Sequence, residues 1–139
     1  MLSLDFTKLN NNGTWLSPLS VDLNGICIGI DPTIKFKIMK PGGVHVGTCE
    51  IRLSTKSGMS QQGNISIHVY PRYDRTDIVN SVLTIALQFA KEHGLVTFYV
   101  KCKKGGDIRP EDVLQFGAKA FSDVVGTEYV EGLYVIPLT

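Results

Sequence analysis

The sequence predicts an α/β domain on the border of α+β. The expected core is a mixed sheet with antiparallel N-terminal strands and a C-terminal β-α-β-α-β half carrying both helices on one face. Three observations predict it. Ile34, Phe36 and Ile38 alternate with Lys35, Lys37 and Met39, and Val44 to Leu53 returns after a Pro41-Gly42-Gly43 turn; period-2 alternation across a tight turn is the pattern of paired strands. Asn64 to Cys102 reads as strand, helix, strand, and two strands joined by a helix are expected to run parallel with a right-handed crossover. Pro110 then stands where a second helix should begin, and an apolar run from Tyr129 to Ile136 makes a last strand.

Residues 1–139 are read as one domain, with N-terminal strands in 1–53 and the β-α-β-α-β unit in 64–136. That length supports a hydrophobic core without metals or disulfides. Hydrophobic residues make up 43% and charged residues 19%, a globular composition. The formal net charge of +1 is not that of a nucleic-acid-binding surface, so nucleic acid is a disfavoured partner. No apolar run approaches the roughly 20 residues needed to cross a bilayer. Met1-Leu2-Ser3-Leu4-Asp5-Phe6 lacks the basic and apolar regions of a signal peptide, so a cytoplasmic location is expected. Cys27, Cys49 and Cys102 form no CxxC pair and are expected as reduced thiols, with no metal site and no cofactor.

In chain order, residues 1–20 are polar and turn-rich and hold the only tryptophan, Trp15, expected to plug one end of the core. Val21 to Ile30 alternates loosely until Asp31-Pro32 breaks it. Lys35 and Lys37 sit on the wet side of their strand, as charges that guard a sheet edge do. Residues 54–64 offer little to bury and read as a loop. Ile65, Ile67 and Val69 alternate with Ser66, His68 and Tyr70, and Pro71 ends that strand. Thr76 and Asp77 carry helix N-terminus chemistry. Ile78, Val82, Ile85, Ala86 and Phe89 share one helix face, and Gly94 closes the helix after His93. Val96, Phe98, Val100 and Cys102 make the next strand. Beyond Pro110, the residues Val113, Phe116, Gly117, Ala120, Phe121 and Val124 fall at helical spacing, with Gly126 as the stop.

In a parallel sheet, ligands gather where strand C-termini lead into helix N-termini. Two loops fall there, Arg72 to Thr76 and Lys103 to Arg109. They hold Arg72, Arg75, Lys103, Lys104 and Arg109, five of the 14 lysines and arginines. Helix N-termini favour anions, and Gly105 and Gly106 would let backbone approach a phosphate. The expected ligand set is therefore Arg72, Arg75, Thr76, Lys103, Lys104, Gly105, Gly106 and Arg109, with His68 on the adjoining polar strand face. No GxxxxGK[ST] or GxGxxG motif accompanies them. His68 is the one histidine placed for acid–base work, and no catalytic set completes it.

From Lys40 to Leu138 the chain resembles the N-terminal domain of the ribose-phosphate pyrophosphokinases (PRPP synthetases). The resemblance rests on Pro41-Gly42-Gly43-Val44-His45-Val46, on the strand Ile65 to Tyr70, and on the helix opened by Asp77-Ile78-Val79 and running through Leu83, Ala86 and Leu87. Val44 replaces that family's Glu, and Lys103-Lys104-Gly105-Gly106-Asp107 replaces its Arg-Gln-Asp-Arg loop. Its Asp-x-His and its C-terminal domain have no counterpart. The resemblance implies a relative that kept the scaffold and a nucleotide or phosphosugar pocket without the synthetase activity.

The sequence thus leads to a non-catalytic binding module for a nucleotide or another phosphorylated small molecule at the strand C-termini. The alternative is a homo-oligomeric structural or assembly protein whose Tyr70/Tyr99 face makes the interface. A homo-oligomer is expected, with no membrane partner.

Overall fold

Five strands follow one another in space as they do in the chain: β1 (Asn10–Asn11), β2 (Thr14–Asp22), β3 (Thr33–Lys40), β4 (Val44–Arg52) and β5 (Ile65–Val69), each antiparallel to the next. The computed structural model describes residues 9–22, 33–53, 63–103, 106–125 and 130–138. Alternation decides which side of each strand is buried. Ile34, Phe36 and Ile38 are fully buried while Lys35 and Lys37 are exposed; Ile65, Ile67 and Val69 are buried while Ser66 and His68 are exposed. An irregularity between Ile38 and Met39, opposite His45 and Gly47, shifts the register of β4. At Gly47 the backbone of β5 comes so close that a Cβ would lie 2.2 Å from the His68 carbonyl oxygen. A glycine is required there for the two strands to pair.

This order corrects one reading. β3 is the middle strand of the sheet, so Lys35 and Lys37 guard no edge. Trp15 lies on β2 opposite Met39 and is half-buried. The strand expected from Val21 to Ile30 falls mostly outside the described residues, and only its start is seen, as the end of β2.

Helix α1 (Arg75–Glu92) covers the apolar side of this sheet, with Ile78, Val79, Val82, Leu83, Ile85, Ala86, Phe89 and Ala90 buried. Phe89 meets Phe36 of β3 edge-on, ring centroids 6.0 Å apart. The N-cap is Asp74, whose Oδ1 accepts the Thr76 N–H at 3.1 Å. Thr76 and Asp77 are therefore already inside the helix, one turn position later than their chemistry suggested. The other end is as expected, at Glu92 with His93 and Gly94 turning out of it.

Beyond α1 come β6 (Thr97–Lys103), the short helix α2 (Pro110–Leu114), β7 (Lys119–Val125) and β8 (Val130–Pro137), in a second sheet of order β6-β8-β7. Both of its pairings are antiparallel. The parallel C-terminal half is thus corrected: β5 and β6 belong to different sheets, and each strand pairs antiparallel. The long second helix is corrected too. It ends at Leu114, and Gly117 takes φ +82, a left-handed conformation that ends a helix. The helix-spaced residues after it instead fall in a strand paired with β8, where tertiary pairing overrides the local spacing. No helix among the described residues is long and apolar enough to cross a membrane.

Candidate functional site

The two sheets meet at Asn64. Its backbone N–H donates to the Tyr99 carbonyl of β6 at 2.6 Å, and its carbonyl accepts the Arg52 N–H of β4 at 2.8 Å. Its side chain repeats the bridge: Nδ2 donates to the Arg52 carbonyl at 2.7 Å, and Oδ1 accepts the Tyr99 N–H at 2.9 Å. Asn64 is fully buried, and four hydrogen bonds account for its backbone and its amide group. Past this junction β5 and β6 share no ladder. The Asn64 carbonyl and the Tyr70 N–H both bond to β4. Because alternate residues of an antiparallel strand face its partner, Ile65, Ile67 and Val69 turn their N–H and C=O groups away from β4. Among the described residues, no strand pairs with that edge.

At the far end of this opening, Arg75 joins α1 to the loop after β6. Its Nε and Nη2 donate to the Asp107 carbonyl at 3.2 and 3.0 Å, and Nη2 pairs with Asp112 Oδ2. Asp112 is 5% exposed and also accepts the Arg109 N–H at 2.8 Å. The held loop presents the Asp107 carboxylate to His68 Nδ1 of β5, at 3.7 Å. His68 is exposed, and its ring lies edge-on to Tyr70 at 5.7 Å. Tyr70 in turn meets His45, whose Nε2–H donates to the Gly47 carbonyl at 2.8 Å.

The residues expected to bind anions are therefore divided. Arg75 is committed to Asp112 and the Asp107 carbonyl. Arg109 Nε donates to the Gly106 carbonyl at 3.2 Å. The Thr76 N–H is capped by Asp74. Arg72 is exposed, its guanidinium carbon 5.6 Å from the Tyr73 ring centre. Lys103 belongs to β6, while its side chain and all of Lys104 and Gly105 lie outside the described residues. Among the described members of the expected set, His68 stands on β5 itself, beside Asp107.

The side of the five-stranded sheet away from α1 carries polar rows. Lys35 faces Glu50, which faces Ser66; Lys37 faces Thr48, which faces His68. Arg52 organises the Glu50 end, pairing with Glu50 Oε1 at 2.9 Å and donating to Ser66 Oγ at 2.8 Å and the Gly63 carbonyl at 2.9 Å. A shallow depression of about 320 Å³ lies here, lined by Leu19, Lys35, Thr48, Glu50, Ser66 and His68, with the strand backbones as its floor. Sequence reasoning missed Asn64, Glu50, Arg52 and Asp112. Glu50 and Arg52 stand at polar positions of an alternating strand, which was a usable signal. Asn64 had none, since its partner Tyr99 is 35 residues away.

Two cysteines are inert by position. Burial pushes the Cys49 thiol far above its ordinary range, and burial with the nearby Asp112 and Glu111 carboxylates pushes Cys102 up to about 12. His93 is spent on the helix end, with Nδ1 bonded to the Phe89 carbonyl at 2.7 Å. Among the described residues, no cluster of His, Cys, Asp or Glu could hold a metal.

A five-stranded antiparallel sheet, a long helix on one side, and a second sheet meeting it at a point form an architecture found in solved acetyltransferases. One such structure, a protein of Salmonella typhimurium assigned as an acetyltransferase and solved with its cofactor acetyl-CoA, superimposes with a TM-score of 0.60 at 12% identity, over 84% of this chain and 69% of its own. A protein of Sphaerobacter thermophilus with the same assignment gives 0.52 at 15% identity, over 76% of this chain and 65% of its own. Nourseothricin acetyltransferase gives 0.52 at 12% identity, over 91% and 88%. No family model matches the sequence, and no curated protein is similar to it. At these identities the likeness is one of fold.

It overturns several expectations. The structures similar to this chain are acetyltransferases and not ribose-phosphate pyrophosphokinases, so that resemblance reflected generic strand and helix spacing. The non-catalytic module for a nucleotide or phosphorylated ligand falls with it, as does the alternative of a homo-oligomeric structural protein. The physical reason is that both sheets pair antiparallel, without the parallel strand ends of the expected phosphate site, and that Arg75 and Arg109 are bonded to Asp112 and the Gly106 carbonyl.

Proposed function

We propose that this chain is an acyltransferase that takes its acyl group from an acyl-CoA thioester lying along the opening between β5 and β6. The observation that carries the reading is the unpaired edge of β5 beyond the Asn64 junction. The arm of acetyl-CoA is extended and carries two amides, and an extended amide chain can add to a free strand edge through main-chain hydrogen bonds. The backbone groups of Ile65, Ile67 and Val69 fit that arm. The start of α1 fits the phosphate end less well, because the Asp74 carboxylate already accepts its Thr76 N–H.

Acetyl-CoA, when bound, supplies a thioester carbonyl as electrophile and its sulfur as leaving group. N–H groups on the β5 edge can donate to the acyl oxygen, where negative charge develops; fixed donors of this kind are often the largest single contribution to acyl transfer. His68 is the group that takes the proton from the attacking acceptor. Asp107 Oδ1 lies 3.7 Å from His68 Nδ1, too far for a close hydrogen bond.

Titrating ¹⁵N-labelled protein with acetyl-CoA should move the amide signals of Ile65, Ile67 and Val69. A colorimetric assay for released thiol should show turnover with an amine acceptor. His68→Gln should lower kcat about 100-fold while leaving acetyl-CoA affinity intact. S-acetylpantetheine, which lacks the nucleotide end, should bind within about threefold of acetyl-CoA, about 0.65 kcal/mol. No signal change on β5 at millimolar acetyl-CoA would end the proposal.

A further inference from the structure

The geometry points to a specificity within this proposed reaction: we infer that the bare face of the five-stranded sheet seats the acceptor, and that the acceptor carries a carboxylate taken by Lys35 and Lys37. The inference rests on the acyltransferase reading for the word acceptor, and on the sheet itself for the charge.

Lysine is a poor strand former, and its usual use in a sheet is to guard an edge. Here the two lysines project from the middle strand, two residues apart on the same face, both exposed. Neither has an ion-pair partner among the described residues. The one carboxylate in their rows, Glu50, is held by Arg52 at 2.9 Å, so that pair cancels and the two lysines leave the face positive. Two like charges side by side on a sheet face repel, and an anion between them relieves this.

Spacing says what kind of anion. Lys37, Thr48 and His68 stand in one cross-strand row. Adjacent strands lie about 4.8 Å apart, so the backbone positions of Lys37 and His68 are about 10 Å apart. The depression beside this row, lined by Lys35, Thr48 and His68 and about 320 Å³ in volume, is at the small end of ligand sites. It suits a short molecule with a carboxylate at one end, over the lysines, and a nucleophile at the other, beside His68. Leu19, 56% exposed at the rim, would cover the aliphatic middle.

A ladder of ω-amino acids tests this directly: glycine, β-alanine, γ-aminobutyrate and 5-aminovalerate, each against the alkylamine of equal amine-bearing chain length without the carboxylate. Binding is read on protein free of acetyl-CoA, by amide shifts of Thr48, Ser66 and His68. One ladder member should bind at least tenfold tighter than its alkylamine. Lys35→Met with Lys37→Met, which keeps the apolar stems, should erase that advantage. Equal binding of the alkylamines, or an unchanged advantage in the double variant, would overturn the inference. If the ladder binds here but acetyl-CoA does not bind β5, the acyltransferase reading fails and the carboxylate site stands. If acetyl-CoA binds and no ladder member does, only the carboxylate site fails.

Discussion

The two faces of the five-stranded sheet are built from the same strands and differ in almost everything else. On one, Ile34, Phe36, Ile38 and Ile51 are fully buried against α1. On the other, one residue along each strand, stand Lys35, Lys37, Glu50, Ser66 and His68, exposed or half-exposed. The buried face holds the sheet together by packing, and any apolar group of the right volume would serve. The bare face contributes little packing, so its residues are free to be chosen for chemistry. The difference teaches where substitutions should act on stability and where on binding.

The largest contrast comes from neighbours on β3. Phe36→Ala should cost about 3–5 kcal/mol in denaturant unfolding, the usual loss for a buried phenylalanine. Lys37→Ala should stay within about 0.5 kcal/mol. Equal losses would mean that the bare face is packed against something. Next is the junction between the sheets. Asn64→Ala removes two part-buried side-chain hydrogen bonds, to the Arg52 carbonyl and from the Tyr99 N–H, at about 0.5–1.5 kcal/mol for each. A similar cost is expected from Arg75→Ala, about 2–4 kcal/mol, because it leaves the buried Asp112 carboxylate without its cation. Arg72→Ala, three residues away and exposed, should change unfolding by less than about 0.5 kcal/mol. Stability should also depend on pH. The buried thiols ionise above the ordinary thiol value of 9.0. From about pH 9 upward the unfolded chain loses thiol protons that the folded chain keeps. Stability should therefore be complete below that pH and fall as pH rises towards about 12, where Cys102 titrates. Replacing Cys102 with alanine should flatten part of that alkaline decline.

Much of the sheet was legible because its signal is local. Ile65, Ile67 and Val69 declare a buried side with no reference to the rest of the chain, and so do Ile34, Phe36 and Ile38. Helix α1 and its end at Gly94 were legible for the same reason. Residues 119–124 were not, because their spacing is that of a helix face and pairing with β8 overrides it. Pairing itself was not legible either. A strand–helix–strand run implies parallel neighbours by habit, and here β5 and β6 meet at a single residue instead. Among the candidate site residues, Arg72 and Arg75 look alike in sequence. What separates them is Asp112, 37 residues away, and no local pattern announces it. His68 could be found from its polar strand face; Asp107 could not be paired with it.

The Asn64 junction also bears on how the chain folds. The first sheet grows by consecutive hairpins, contacts that cost little chain entropy and form early. The second closes among residues 97–138. The bonds between Asn64 and Tyr99 span the long helix between the two and gain nothing until both sheets exist, which places them late on the path. Asn64→Ala should then leave the refolding rate nearly unchanged and accelerate unfolding. The same residue that holds the opening between the sheets would also set the lifetime of the folded state.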